Sequence, residues 1–480
     1  IDQLIDDKKK ISKPIVDVVA ELRGKFNLGI VPAKAITYRL GTPRFFEYHI
    51  SNTPIKTHIA KDRAIDGIIN LIFQEEQDIE TIQAVQQQPI LYGIYTQTTP
   101  LKRLLQEIKA TEAALVDATV DRVARKELVE RLDYHVNSLN QLINKDLFAK
   151  EQKIAWFFNG APFTISSRKA FNQQLSLICE TLFHKVPVFK NELMNKQKPS
   201  SVIHASRKLY FRQLLECYNQ PNLDFPKDKF PAEKTIYYTL LYHTGIHKTD
   251  QHGIYAYFDA PTDATFLPLW EASLAFLESA KTSKRSIQEL VDVLRAQPFG
   301  LKDGFIEFWV GTFLFIHREE FALFGEAYIP KFSVELVELL FKDAHKYKLK
   351  TFQLNGVRLE LFNKYRALIQ AKDTSSITNT SFKETAAPFL VFYKQLPQYT
   401  KQTKRLDAAT LRFRTVISKA KELEKTFFED LPAALGYTLQ TLHESADALE
   451  TFAQQITTSI RTLRTAFSAL IERLEQGLLQ

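Results

Sequence analysis

Apolar positions along this chain recur mostly three and four residues apart, the spacing of helices. Ile5, Ile11, Ile15, Val18, Val19 and Leu22 predict a helix over residues 1–28. Residues 35–40 and 45–50 read as short strands around Gly41-Thr42-Pro43, because Pro fixes φ and Gly permits a turn. Residues 62–73 read as a helix and the aromatic run 89–95 as a strand. Thr99-Pro100 predicts a helix start, with Thr as N-cap and Pro in the first turn. From there to Lys145 the pattern is helical and highly charged, which predicts a helical hairpin or a coiled-coil arm.

Residues 153–158 read as a strand, Asn159-Gly160 as its hairpin turn and 163–165 as the return. Helices follow at 167–183, 188–195 and 201–218. After a polar loop at 219–231, a helix at 232–243 stops at Gly245. The most distinctive stretch is 286–354. Ser286 and Glu289 form a capping box, and Pro298-Phe299-Gly300 ends that helix. A nearly all-apolar helix at 304–320 is expected to be buried on most sides. Two short strands around Gly325-Glu326, a helix at 334–345 capped by Ser333, and a strand at 348–354 complete it. This is the order of a winged-helix module, a unit that binds nucleic acid or packs on the lid of an ATPase.

The Ser/Thr-rich stretch 371–382 marks a domain boundary. Helices follow at 386–396, 408–425 and 431–474. In the last, Leu449, Ile456, Leu463 and Leu470 repeat every seven residues, with Ala446, Ala453, Ile460, Phe467 and Leu474 as a second seam. That is the pattern of a supercoiled helix. Phe467 and two Ala widen the stripe, which weights the reading slightly towards a helix inside an antiparallel bundle of the same chain. The expected fold is therefore mainly α and multi-domain: helical bundles with a winged-helix-like module and long coiled-coil-like helices. Its parts are a mixed α/β region at 1–98, a helical hairpin or arm at 99–148, and a helical domain with a β-hairpin at 149–280. The winged-helix-like module at 281–370 and a C-terminal helical region with the heptad helix at 383–480 complete it.

At 480 residues the chain has room for about two to four domains. Its 36 Phe point to large packed surfaces between helices. A net charge of +8 is compatible with a nucleic-acid partner without requiring one. The basic residues are dispersed, and the run Lys8-Lys9-Lys10 reads as a solvated helix face. Cys179 and Cys217 lie in helical apolar patterns and read as small buried hydrophobes. With no cysteine framework and no signal peptide, the expected compartment is cytoplasmic. Apolar windows such as FIEFWVGTFLFI fall short of the roughly 20 residues of a bilayer span. The chain starts at Ile1 and holds a single Met, which reads as part of a longer polypeptide or a sequence with segments left out.

No phosphate loop of the form GxxxxGK[ST] is present; Gly24-Lys25 lacks the first glycine and the Ser/Thr. His243, His247, Asp250 and His252 contain an i, i+4 pair suited to zinc, but Gly245 breaks the helix face, so a solvated polar loop is the expectation. Asp62, Arg63 and Asp66 read as a structural ion-pair network. Asn191, Glu192 and Asn195, set among apolar neighbours, read as a core hydrogen-bond network or a cap. No Ser-His-Asp or Cys-His arrangement stands out. In the winged-helix region Lys302, Lys331, Lys342, Lys346, Lys348 and Lys350 are the nucleic-acid candidates. Glu326, Glu335, Glu338 and Asp343 oppose them, and arginine is missing from helix and wing. Phosphate contacts or protein docking fit this better than base reading.

Segments from FNGAPFTISSRKAFNQQLSLICETLFHKVPVFKNELMNKQKPSSVIHASRKL through FPAEKTIYYTLLYHTGIH and LRAQPFGLKDGFIEFWVGTFLFIHREEFALFGEAYIPKFS to FYKQLPQYTKQTKRLD and FFEDLPAALG carry a resemblance. In order and wording they are similar to large bacterial P-loop ATPases of phage defence, the ATPase subunits of BREX-type phage-exclusion systems and their relatives. The resemblance covers roughly residues 150–436 and includes no catalytic motif. It implies an accessory or regulatory region beside a nucleotide-binding core, with ATP and Mg as cofactors of the family only. It implies as partners other subunits of a defence complex or a second copy; the lysines of the winged-helix region add DNA through phosphate contacts. Binding of nucleotide or partner would then shift rigid helical modules against each other. The rival readings are a non-enzymatic DNA-binding protein and a protein–protein scaffold.

Overall fold

Mostly apolar runs at residues 67–72, 90–95 and 154–158 build the centre of the first sheet. In the computed structural model, which describes residues 1–26, 29–57, 64–73, 79–117, 120–326, 328–329, 332–351, 356–371 and 378–478, the chain opens with α1 (Asp2–Ile11) and α2 (Val18–Leu22). Pro14 lies between them and disfavours helix at the residue before it, so one expected helix becomes two. Then come β1 (Ile30–Pro32), α3 (Lys34–Leu40), β2 (Phe45–Ser51), β3 (Gly67–Ile72), α4 (Ile79–Gln83), β4 (Ile90–Tyr95), α5 (Thr99–Leu115), α6 (Arg122–Asp146), β5 (Ile154–Phe158), β6 (Ala161–Phe163) and α7 (Arg168–Leu182).

The six strands lie side by side in chain order. β2, β3 and β4 are parallel, and the outer pairs are antiparallel. Two expectations fail here. Residues 35–40 form helix α3, closed by Gly41 at φ +87°, not a strand. Residues 67–72 form β3, not a helix; all six are buried, because a parallel strand covered on both faces has no polar side. The Asn159-Gly160 turn forms as expected, with both residues at positive φ. The hairpin α5–α6 is no free arm. It links β4 to β5 and lies on the sheet, where Leu105, Ile108, Leu139 and Ile143 share a core with Ile69, Leu91 and Trp156. Lys8 and Lys9 pair with Asp117 and Glu107 rather than facing solvent unpaired.

A second core follows. α8 (Ser201–Cys217) and α9 (Ala232–Tyr237), which runs on as a π turn to Tyr242, lead to the hairpin of β7 (His247–Thr249) and β8 (Ala256–Phe258). Then come α10 (Leu267–Ser279), β9 (Arg285–Ser286), α11 (Ile287–Arg295), α12 (Asp303–Ile316), β10 (Phe321–Phe324), β11 (Tyr328–Ile329), α13 (Val334–Lys342) and β12 (Lys348–Thr351). Ser286 and Glu289 make the expected capping box. Residues 188–195 are not helical; Phe189 N–H reaches across to Leu40 O at 2.8 Å instead. The second sheet is antiparallel, in the order β11-β10-β12-β9. In α12 only Asp303, Glu307 and Ile316 escape full burial. This helix is the central pillar of the core, and it shares that core with α8 and α10.

β10 joins the second core to a third. Successive side chains of a strand point to opposite faces. Phe321 and Leu323 therefore enter the second core, and Ala322 and Phe324 enter the third. The third consists of α14 (Gly356–Leu368), α15 (Asn379–Gln395), α16 (Gln398–Gln402), α17 (Ala408–Ser418), α18 (Leu423–Lys425), α19 (Leu431–Leu435), α20 (Leu439–Glu444) and α21 (Ala446–Leu478). The 33 residues of α21 span about 50 Å. Leu449, Phe452, Ile456 and Leu463 pack within this chain, in the same core as Tyr365, Phe413 and Phe427. Beyond Ala466 the stripe Phe467, Ile471, Leu474 and Leu478 is exposed. The molecule is mainly helical with several cores, and no helix among the described residues is long and apolar enough to cross a membrane.

Candidate functional site

The sequence marks Lys302 as a surface cation, yet it is 2% exposed. It begins the chain's entry into α12, and the turn before it abuts the N-terminal sheet. Its ammonium donates to both Asp66 carboxylate oxygens, at 2.9 and 2.8 Å, and to Ala64 O at 3.2 Å. Asp66 sits just before β3 and also accepts from Arg44 Nη1 at 2.7 Å and Phe45 N–H at 2.9 Å. Arg44 in turn donates to Gly300 O at 2.6 Å and Phe299 O at 3.2 Å, with its guanidinium 4.1 Å from the Phe183 ring centroid. Burial pushes the Lys302 amine below the ordinary lysine range while Asp66 opposes the shift. A phosphate cannot reach this lysine; its partner is internal. Asp62 and Arg63, read with Asp66 as a network, lie outside the described residues. Beside the cluster is a cleft of about 360 Å³. Its polar walls are engaged with one another: Asp303 accepts from Arg295 Nε and from Gln197 Nε2, both at 2.6 Å.

The other predicted lysines are dispersed. Lys350 is half-buried and lies 3.9 Å from Glu424, which also accepts from Arg358 at 2.8 Å. The outer face of the second sheet is thus covered by the third core, which removes Lys350 from any open wing surface. Burial raises the Glu424 carboxyl, with Lys350 and Arg358 opposing. Lys346 sits 3.4 Å from Asp343 and is exposed, as are Lys342 and Lys348. Lys331 lies outside the described residues.

Sequence reading missed a second ion cluster, because its members are 100 and 131 residues apart. Arg207 of α8 donates to Glu338 of α13 at 2.9 Å and to Glu307 of α12. Burial pushes the Glu307 carboxyl up to about 7 from 4.5, although Arg207 pulls it down. The folded state therefore holds this proton more tightly than the unfolded chain. The resulting stability is complete below pH 4.5 and is lost as pH rises through 7. Relative to Glu307→Gln, the wild-type unfolding free energy is expected to fall by on the order of 2 kcal/mol across that window. Urea titrations at several pH values check this; parallel curves for the two proteins would refute it.

His247 is not a solvated loop residue. It is buried in β7, with Nδ1 2.9 Å from Tyr237 Oη and Nε2 2.8 Å from Tyr218 O. Both ring nitrogens are occupied, so it is no metal ligand with His243. Burial lowers its pKa. Asn191 does form a core network, donating to Thr239 Oγ1 and accepting from Leu193 N–H. Asn195 donates to Gly41 O and Phe189 O, while Glu192 is exposed. Cys179 is buried and its thiol is pushed up to about 12 by that burial.

Among the described residues no group of three or more His, Cys, Asp or Glu side chains is placed to hold a metal ion. The site the fold builds is a junction, held by buried charge, between the first and second cores. Compared with known proteins, the chain matches no family model, no curated protein and no solved structure.

Proposed function

We propose that this chain is a rigid accessory region of an anti-phage defence NTPase, passing motion between a nucleotide-driven core and nucleic acid or partner subunits. The observation that carries the reading is the junction. Arg44, Asp66 and Lys302 tie the first core to the second, and β10 is shared by the second and third. Sliding the first two cores apart would strand buried charges, which is strongly unfavourable. A body joined this way moves as a unit. The resemblance of residues 150–436 to phage-defence ATPases supports the cellular context.

In this reading the winged-helix-like module, 281–370, docks rather than reads bases. The helix before its wing is buried and offers no side chains to a groove. Lys342, Lys346 and Lys348 remain exposed for phosphates. The open stripe at the end of α21, spaced four, three and four residues apart, serves assembly with another subunit or a second copy.

The purified chain is expected to release no phosphate from Mg–ATP above the buffer level. Mixed with a phage-defence NTPase core, it should co-elute and change that core's turnover. Turnover by the chain alone, abolished by a substitution within it, overturns the reading. Duplex DNA binding should weaken with salt, and Lys342→Ala, Lys346→Ala and Lys348→Ala together should reduce the log–log salt slope by about 2–3. Salt-independent affinity removes the nucleic-acid arm and leaves a scaffold.

A further inference from the structure

Tyr38 stands on α3 with 85% of its surface open, more than any other aromatic side chain among the described residues. Two cavities meet at it. One, of about 890 Å³, is walled by Pro43, Phe45, Lys190, Lys196 and Lys198; the other, of about 870 Å³, by Tyr48, Phe148, Arg168 and Lys169. Pro32, Lys34 and Tyr38 line both. The joint groove carries Lys34, Arg168, Lys169, Lys190, Lys196 and Lys198, all exposed. Among the described residues of its walls, the one other charge without an ion pair is the carboxylate Glu192; Lys302 is buried and paired with Asp66. No ion pair among the described residues uses any of the six cations.

The helix that carries the ring is held at both ends. At the start of α3, Asn172 of α7 accepts from Lys34 and Ala35 N–H at 3.0 and 3.3 Å, and Ser176 accepts from Ile36 N–H at 3.2 Å. At its end, Leu40 O accepts from Phe189 N–H, and Asn195 holds Gly41 O. A Cβ on Gly41 would lie 2.1 Å from Phe189 O, so only glycine lets the two segments approach this closely. The same contacts bring Lys190 beside the ring, its Nζ 5.5 Å from the centroid, and set Lys196 and Lys198 on the wall of the same cavity. On the far side Arg168 lies 5.3 Å from the Phe148 centroid.

An open aromatic face between two basic channels suits a polymer with exposed flat bases and a phosphate at every step. Single strands bind this way, through stacking and a cationic track. A duplex hides its bases and gains nothing from Tyr38. We propose that the groove binds single-stranded nucleic acid, running from Lys196 and Lys198 across Tyr38 to Lys169, with one base stacked on the Tyr38 ring. This deepens the nucleic-acid part of the function proposed above and rests on it.

The test is fluorescence anisotropy of the full chain with labelled oligo-dT and oligo-rU of about twelve nucleotides, and with a duplex as competitor. Tyr38→Ala, at an exposed site that leaves melting unchanged, should weaken single-strand binding about tenfold. Lys190→Ala, Lys196→Ala and Lys198→Ala together should lower the salt slope by about 2. The Lys342, Lys346 and Lys348 triple variant should bind single strands as wild type. Preference between dT and rU then names the sugar. Wild-type affinity in Tyr38→Ala, or equal competition by duplex, overturns this site alone. Absence of binding to any polynucleotide overturns it together with the nucleic-acid arm of the broader reading.

Discussion

Asp66→Asn is expected to destabilise the protein by about 3–5 kcal/mol, and Lys302→Met by clearly less. The ranking follows from geometry. Asp66 is the shared anion of two buried cations, at 2.7 Å from Arg44 and 2.8 Å from Lys302. Asparagine keeps the shape and removes the charge, which strands both. Methionine in place of Lys302 leaves the Arg44–Asp66 pair whole and fills the lysine's path with apolar atoms. Trp156 reports on the first core, and Trp270 and Trp309 on the second. In wild type, near-ultraviolet and fluorescence signals should share one urea transition. In Asp66→Asn the transition should move to lower urea and split, with the first core parting from the second. A loss for Asp66→Asn smaller than that for Lys302→Met would reject the cluster as the tie between them.

The local features of the chain were readable because local chemistry decides them. Ser167, Ser286 and Ser333 cap helices, and Asn159-Gly160 turns a hairpin, each by interactions within a few residues. β3 is hard to tell from a helix because GIINLI is apolar but for Asn70 and buried at all six positions, and a run buried on both faces carries no period to separate strand from helix. α3 is not legible as a helix because its seven residues are too few to show a helical period, and its caps come from Asn172 and Gly41 rather than from its own first turn. Residues 188–195 are helical in pattern, but the Phe189 N–H is drawn to Leu40 O and the Asn195 side chain to Gly41 O.

Charges were the hardest to place. Lys302 looks like any other lysine until Asp66 arrives from 236 residues away. Tyr38, Arg168 and Lys190 likewise share no motif; only the packing of α3 against α7 and the 189–195 segment puts them on one groove. The abundance of Phe, by contrast, did announce its consequence, a column of rings along α12.

Trp309→Ala should cost about 3–5 kcal/mol, a second effect of the same size with a different origin. Trp309 lies mid-way along α12, fully buried, its ring nearly parallel to Phe305 at 6.4 Å and to Phe313 at 6.2 Å. Trp270 packs edge-on at 6.3 Å, and the indole N–H donates to Ser273 Oγ at 3.0 Å. Alanine leaves a cavity that these rings cannot close and strips Ser273 of its donor. Trp309→Phe keeps most of the volume and loses the hydrogen bond, so about 1–2 kcal/mol is expected. The comparison separates two roles for the helix before the wing. As a pillar of the core, α12 should answer to substitution in stability alone, with DNA affinity unchanged below the unfolding range. As a groove reader it would do the reverse, because a side chain that inserts into DNA must first be exposed. Wild-type stability with weakened DNA binding in Trp309→Ala would therefore overturn the assignment of α12 as a pillar, and with it the reason for placing nucleic acid on other faces of the molecule.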